Sequence, residues 1–201
     1  MPFDFCYINM SAVIVQEKQQ RKIHPHKFTL WVAIASILMM FAGLTSAFIV
    51  KSNQAGWHNV QLPKFFWYST AAILLSSLTM QMSLRAFRQR EMSQYRSLIA
   101  LTLLLGAAFV ALQWFGFWQL WNQQDVTFRQ SVGAGQFLYV IFGLHALHVV
   151  GGVITLLVMF MKAFFGKTKS YSAVPVEVAA TYWHFVDILW LYLLVFFLVI
   201  G

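Results

Sequence analysis

The segment AGQFLYVIFGLHALHVVGGVITLLVMFM, residues 134–161, runs its whole length without an aspartate, glutamate, lysine or arginine. At about 1.5 Å of rise per residue it is longer as a helix than the ~30 Å hydrocarbon core of a bilayer. Four more apolar stretches, about 28–50, 65–85, 97–121 and 177–200, are each long enough to cross as well. The links between them are too short to hold a domain with its own core. Of the 201 residues, 60% are apolar and 10% charged, against about 45–50% and 25% in soluble domains. The expected fold class is therefore all-α: a polytopic membrane protein, a five-transmembrane-helix bundle. It has a single membrane domain over 28–201, after an N-terminal segment over 1–27.

Composition also excludes chemistries. One cysteine, Cys6, permits no internal disulfide, thiolate zinc site or two-cysteine copper centre. The net charge of +8 does not indicate nucleic acid, because the basic residues lie in short clusters between apolar spans. Lys18, Arg21, Lys22 and Lys27 precede the first span, and Arg85, Arg88, Arg90 and Arg96 follow the second. Lys162, Lys167 and Lys169 follow the fourth, whereas the opposite side holds only Lys51, Lys64 and Arg129. The positive-inside rule then predicts a cytoplasmic N-terminus and an outer C-terminus at Gly201. Met1–Val15 does not read as a signal peptide, since its basic residues come after the apolar run rather than before it. Met10 is a candidate initiator. Trp57, Trp67, Trp118 and Trp121 fall where interfacial indoles are expected, and the small residues Gly43, Ala47, Gly151 and Gly152 suit close helix approach.

Polar residues inside the spans are expensive and therefore informative. His145 and His148 share one face of the fourth span by their three-residue spacing, and His184 and Asp187 share a face of the fifth. Glu177 lies two turns before His184, and the third span contributes Gln113. We expect Gln113, His145, His148, Glu177, His184 and Asp187 to form a structural intramembrane polar core. Depth counts pair His148 with Asp187 and Gln113 with His145, with Asp187 bonded to a histidine. No catalytic, cofactor-binding or metal-binding residue is expected. A di-iron bundle needs carboxylates on several helices, whereas Glu177 and Asp187 share one. A single haem between His148 and His184 remains an alternative, as does a small proton-coupled carrier using Asp187 and Glu177.

Several segments are recognisable as they stand. TYWHFVDILWLYLL (Thr181–Leu194) and GLHALHVVGG (Gly143–Gly152) resemble signature segments of subunit III of haem–copper terminal oxidases, the cytochrome c oxidase subunit 3 family. So do WVAIASILMMFAGLTSAFIV (Trp31–Val50), LLSSLTMQMSLRAFR (Leu74–Arg88) and LTLLLGAAFVALQ (Leu101–Gln113), in the family's order. The resemblance implies the short bacterial form, matching the last five of the family's seven helices. The family's His–His pair and His-Phe-x-Asp pattern match at His145, His148, His184 and Asp187. Two positions depart: Ile37 stands where a membrane glutamate is usual, and Gly116-Phe117 where Glu-Tyr is usual. Roles resting on those carboxylates do not transfer, so any support of proton uptake by this helix is expected to be indirect.

What the resemblance implies is an accessory subunit of a proton-pumping oxidase in the bacterial inner membrane. It has no redox cofactor of its own and flanks a catalytic subunit I that holds haem and copper, alongside the other oxidase subunits. It also supports proton uptake and binds phospholipids. Both cytochrome c and quinol are open as electron donor of such a complex.

Overall fold

The computed structural model describes residues 25–52, 65–123, 134–165 and 173–200. They form five helices: α1 (Pro25–Ser52), α2 (Phe65–Arg88), α3 (Met92–Gln123), α4 (Ala134–Phe165) and α5 (Val174–Ile200). Each contains its expected apolar stretch and overruns it at one or both ends. The starts have local reasons. Pro25 begins α1 and Pro175 lies in the first turn of α5, positions where a missing N–H costs no helical hydrogen bond. Glu177 N–H donates to Ala173 O at 2.9 Å, which closes that first turn.

The α2–α3 connection is the tightest. Arg90 takes the left-handed conformation, with φ of 63°. Glu91 N–H returns to Ala86 O at 3.0 Å and Arg90 N–H to Phe87 O at 3.1 Å. This paired return is the helix-ending motif that usually employs glycine. With no room for a longer loop, α2 and α3 lie antiparallel along their length.

α5 is the hub: it packs against α1, α2 and α4, while α3 packs against α2 and α4 and α1 against α4. Among the described residues α1 and α2 have no close backbone approach. Their basic ends nevertheless meet α5 together, because Lys27 of α1 and Arg88 of α2 both pair with Glu177. Arg96 of α3 stacks over the Phe164 ring of α4, 5.8 Å from its centroid, at the same end. Lys27, Arg85, Arg88, Arg90, Arg96 and Lys162 thus mark one end of the bundle and Lys51 the other, among the described residues.

Four helices, α1, α3, α4 and α5, are long and apolar enough to cross a membrane. α2 departs from the expected five apolar spans, because Ser69, Thr70, Ser76, Ser77, Thr79, Gln81 and Ser83 dilute it. These groups have a use inside the bundle. Ser69, Ser76 and Ser83 recur every seven residues, are fully buried, and form the stripe that α2 turns inward.

Trp183 shows how closely the helices approach. Its ring is wedged between Gly106 of α3 and Gly152 of α4, so a β-carbon at either glycine would lie 2.9 Å from it. The expected small-residue contact is thus realised at Gly152. Gly43 meets nothing within 4 Å and Ala47 is exposed, so that face of α1 is left uncovered by this chain. Trp67 and Trp118 are exposed as expected of interfacial rings; Trp57 and the Trp121 side chain lie outside the described residues.

Candidate functional site

The polar groups of the membrane core are organised by α2, which sequence spacing alone did not single out. Trp183 Nε1 donates to Ser76 Oγ at 3.1 Å, and Trp190 Nε1 to Thr70 Oγ1 at 3.0 Å. The two indoles are seven residues apart on α5, and their acceptors are six apart on α2, so antiparallel helices bring both pairs together. An indole N–H buried in apolar surroundings needs an acceptor, and a serine or threonine supplies one without bulk. Ser76 Oγ also donates to Thr102 O at 3.3 Å, and the Thr79 and Thr102 hydroxyls lie 2.9 Å apart. These contacts fix α3 to the same face.

The six residues expected to form one polar core lie in separate settings. Gln113 is buried and donates from Nε2 to Ser69 Oγ at 3.0 Å, not to His145. His145 is 2% exposed. Its ring stacks on Trp190 with centroids 5.4 Å apart and meets Phe109 edge-on, and neither ring nitrogen closes a hydrogen bond among the described residues. The expected Gln113–His145 pair is therefore not made, because the Ser69 hydroxyl takes the amide and aromatic rings occupy the imidazole's flanks.

His148 Nδ1 lies 2.7 Å from Leu144 O of its own helix, and its ring meets Phe41 of α1. One turn of helix thus satisfies it locally, and the expected pairing of His148 with Asp187 is replaced. The backbone oxygen of His148 accepts from Tyr182 at 3.0 Å, which ties α4 to α5. His184 instead faces α2, with Nδ1 2.6 Å from Ser77 Oγ and Nε2 3.3 Å from Gln81 Oε1. Asp187 is 3% exposed, and neither of its oxygens closes a hydrogen bond among the described residues, so it is not bonded to a histidine. Asp187 is one turn beyond His184 on α5, but both nitrogens of that imidazole are directed at Ser77 and Gln81 of α2.

Glu177 stands apart from the other five. It sits at the basic end, 2.6 Å from Lys27 Nζ and 2.8 Å from Arg88 Nη2, where two cations offset its charge. Glu177 and Asp187 are thus divided between two environments, and no shared carboxylate site forms. At the two positions that depart from the resemblance, Ile37 packs against the main apolar core, and Phe117 joins Phe66, Tyr139 and Phe142 in an aromatic cluster.

Ser69, Thr70, Ser76, Ser77 and Gln81 were absent from the sequence-based site. The seven-residue serine repeat 69, 76, 83 marks Ser69 and Ser76, since two helical turns return nearly to the same face; Thr70 and Ser77 each follow one of them by one residue, and Gln81 carries no such signal.

Residues 24–201 match the family model described as Cytochrome c oxidase subunit III. A probable cytochrome c oxidase subunit 3 of Nocardia farcinica is 33% identical over 163 residues, 79% of each chain. Cytochrome c oxidase subunit 3 of Corynebacterium diphtheriae is 29% identical over 168 residues, 80% of each chain. A probable cytochrome c oxidase subunit 3 of Rickettsia felis is 32% identical over 135 residues, 66% of this chain and 47% of that longer protein.

Proposed function

The chain belongs to the cytochrome c oxidase subunit III family, and from that premise we propose that it is an accessory subunit of a proton-pumping haem–copper oxidase. In this reading the haems and copper reside in a catalytic partner subunit. The present chain scaffolds that subunit in the membrane, binds phospholipid along its apolar flanks, and supports proton uptake by shaping water access. The names of its relatives favour cytochrome c over quinol as the electron donor of the complex.

The observation that carries the reading is the divergence of the three membrane histidines. His145 lies on Trp190, His148 is bonded within its own helix, and His184 is turned to Ser77 and Gln81. Each is a structural group joining helices. His148 and His184 do not face each other as the two axial ligands of one haem would.

We place the protein in a bacterial inner membrane with its N-terminus cytoplasmic and Gly201 outside. The six basic side chains at one end support this orientation. Purification in mild detergent tests the whole reading. A haem–copper core should co-purify with this chain, and the separated subunit should show no visible haem bands. Isolation of the chain alone with a bound haem would favour the haem-anchor alternative and overturn the accessory role.

A further inference from the structure

The open face of α5 crosses from one neighbouring helix to another. His184 bonds to α2, with Nδ1 2.6 Å from Ser77 Oγ and Nε2 3.3 Å from Gln81 Oε1. Tyr192, two turns further along, bonds instead to α1, its hydroxyl 3.0 Å from that of Thr45. Ile188 stands one turn from each and is 65% exposed. Val195 and Val199 continue the open face toward the end of α5. Because α1 and α2 have no close backbone approach among the described residues, they wall a groove floored by α5. The groove closes at the basic end, where Lys27 of α1 and Arg88 of α2 meet on Glu177.

The polar groups along this groove have unspent hydrogen-bonding capacity. Gln81 Oε1 can only accept, so it takes the His184 Nε2 hydrogen, and the Gln81 amide hydrogens close no bond among the described residues. Thr45 Oγ1 donates to Phe41 O at 3.0 Å, so the Tyr192 hydroxyl donates to Thr45. The Tyr192 oxygen itself accepts nothing among the described residues. At 1.5 Å per residue, His184 and Tyr192 lie about 10 and 22 Å along α5 from Glu177, inside a length that spans a ~30 Å core. A lipid tail can neither accept from an amide nor donate to a phenol oxygen, and polar groups in membrane helices face protein. Two cations on one carboxylate also leave a positive charge over at the closed end.

We propose that this groove is the docking surface for one transmembrane helix of a partner subunit. The groove sets that helix's chemistry: an acidic residue at the Lys27–Arg88 end, a hydrogen-bond acceptor opposite Gln81, and a donor opposite Tyr192. The last two are about 12 Å apart along the axis, two helical turns, so one face of a helix presents both. Over Ile188 the partner is apolar. The proposal deepens the accessory-subunit reading and rests on it for the complex in which the partner is found.

The test uses the whole complex in its native membrane. The photoreactive residue benzoylphenylalanine is placed at Ile188 or at Val195, and the adducts formed on illumination are mapped by mass spectrometry. Both positions should join to one transmembrane segment of a partner subunit. Adducts to phospholipid alone, or to a second copy of this chain, overturn the proposal. Ile188→Trp fills the groove from a position outside the buried core. The crosslinked partner should then be lost from the purified complex while this chain keeps its yield and melting temperature; full retention of the partner overturns the proposal. The two readings fail separately. Protein adducts at both positions without a haem–copper core would keep the docking surface and overturn the oxidase assignment, whereas an intact core with only lipid adducts does the reverse.

Discussion

Glu177 and Asp187 stand on one helix about three turns apart, yet one is held by two cations and the other by none. The difference lies in what each depth of the bilayer can offer. At the basic end α1 and α2 deliver Lys27 and Arg88, whose charged heads stay partly in water. In the middle, α2 offers only hydroxyls and an amide, and these are shared with two tryptophans and a histidine. Helix register at the end is therefore set by exposed charge, and in the middle by buried shape and neutral hydrogen bonds. The expected consequence is that stability resides in the middle.

The largest effect should come from filling the space beside Trp183. Gly152→Val places carbon where 2.9 Å already separates an ideal β-carbon from the indole, so α4 must move. A loss of about 3 kcal/mol is expected, read as the fraction of subunit that assembles and as its melting temperature in detergent. An assembled, normally melting variant would show that the middle is looser than its geometry implies.

A smaller loss, about 1–2 kcal/mol, is expected for Trp190→Phe, which leaves Thr70 without its indole donor and removes part of the stack on His145. Thermal melts of this variant and of Thr70→Val, with the double variant, would measure the coupling. Additive losses would break the claim that the two groups act as a pair.

At the basic end, Glu177→Gln should cost only about 0.5–1 kcal/mol, because Lys27 and Arg88 are 42% and 58% exposed and the pairs are screened. The loss should shrink in high salt. A cost equal to that of Gly152→Val would reverse the comparison between the two regions.

Asp187→Asn should have the smallest effect on stability, within about 0.5 kcal/mol, since no hydrogen bond closes on the carboxylate oxygens and the volume is kept. A loss above about 2 kcal/mol in the melt would mean that a strong partner of Asp187 exists.

Helix existence was legible because apolar length is a one-dimensional property. Every expected stretch lies inside an observed helix, and at α3 the overruns, residues 92–96 and 122–123, are polar-rich sequence that continues the helix beyond the apolar stretch. The α2–α3 turn was less legible, since Arg90 occupies a left-handed position that glycine would have marked. Among the site residues, the spacing of His184 and Asp187 put them one helical turn apart on α5. It could not assign their partners, because depth counts locate a residue along the membrane normal but not around the helix. That is why Gln113 met Ser69 instead of His145, and why His148 and Asp187 did not pair.

The sequence by itself determined the class of solvent, the helices, the basic end and the family, because each depends on composition, length or local pattern. The tertiary structure alone decided that the α2 hydroxyls serve two indoles and an imidazole, that Gly106 and Gly152 hold Trp183, and that the two carboxyls of α5 part company. Those outcomes depend on the rotation of each helix about its own axis. Packing of large rings against small residues sets that rotation, and the membrane contributes little to it, since lipid tails are as apolar as the side chains they touch.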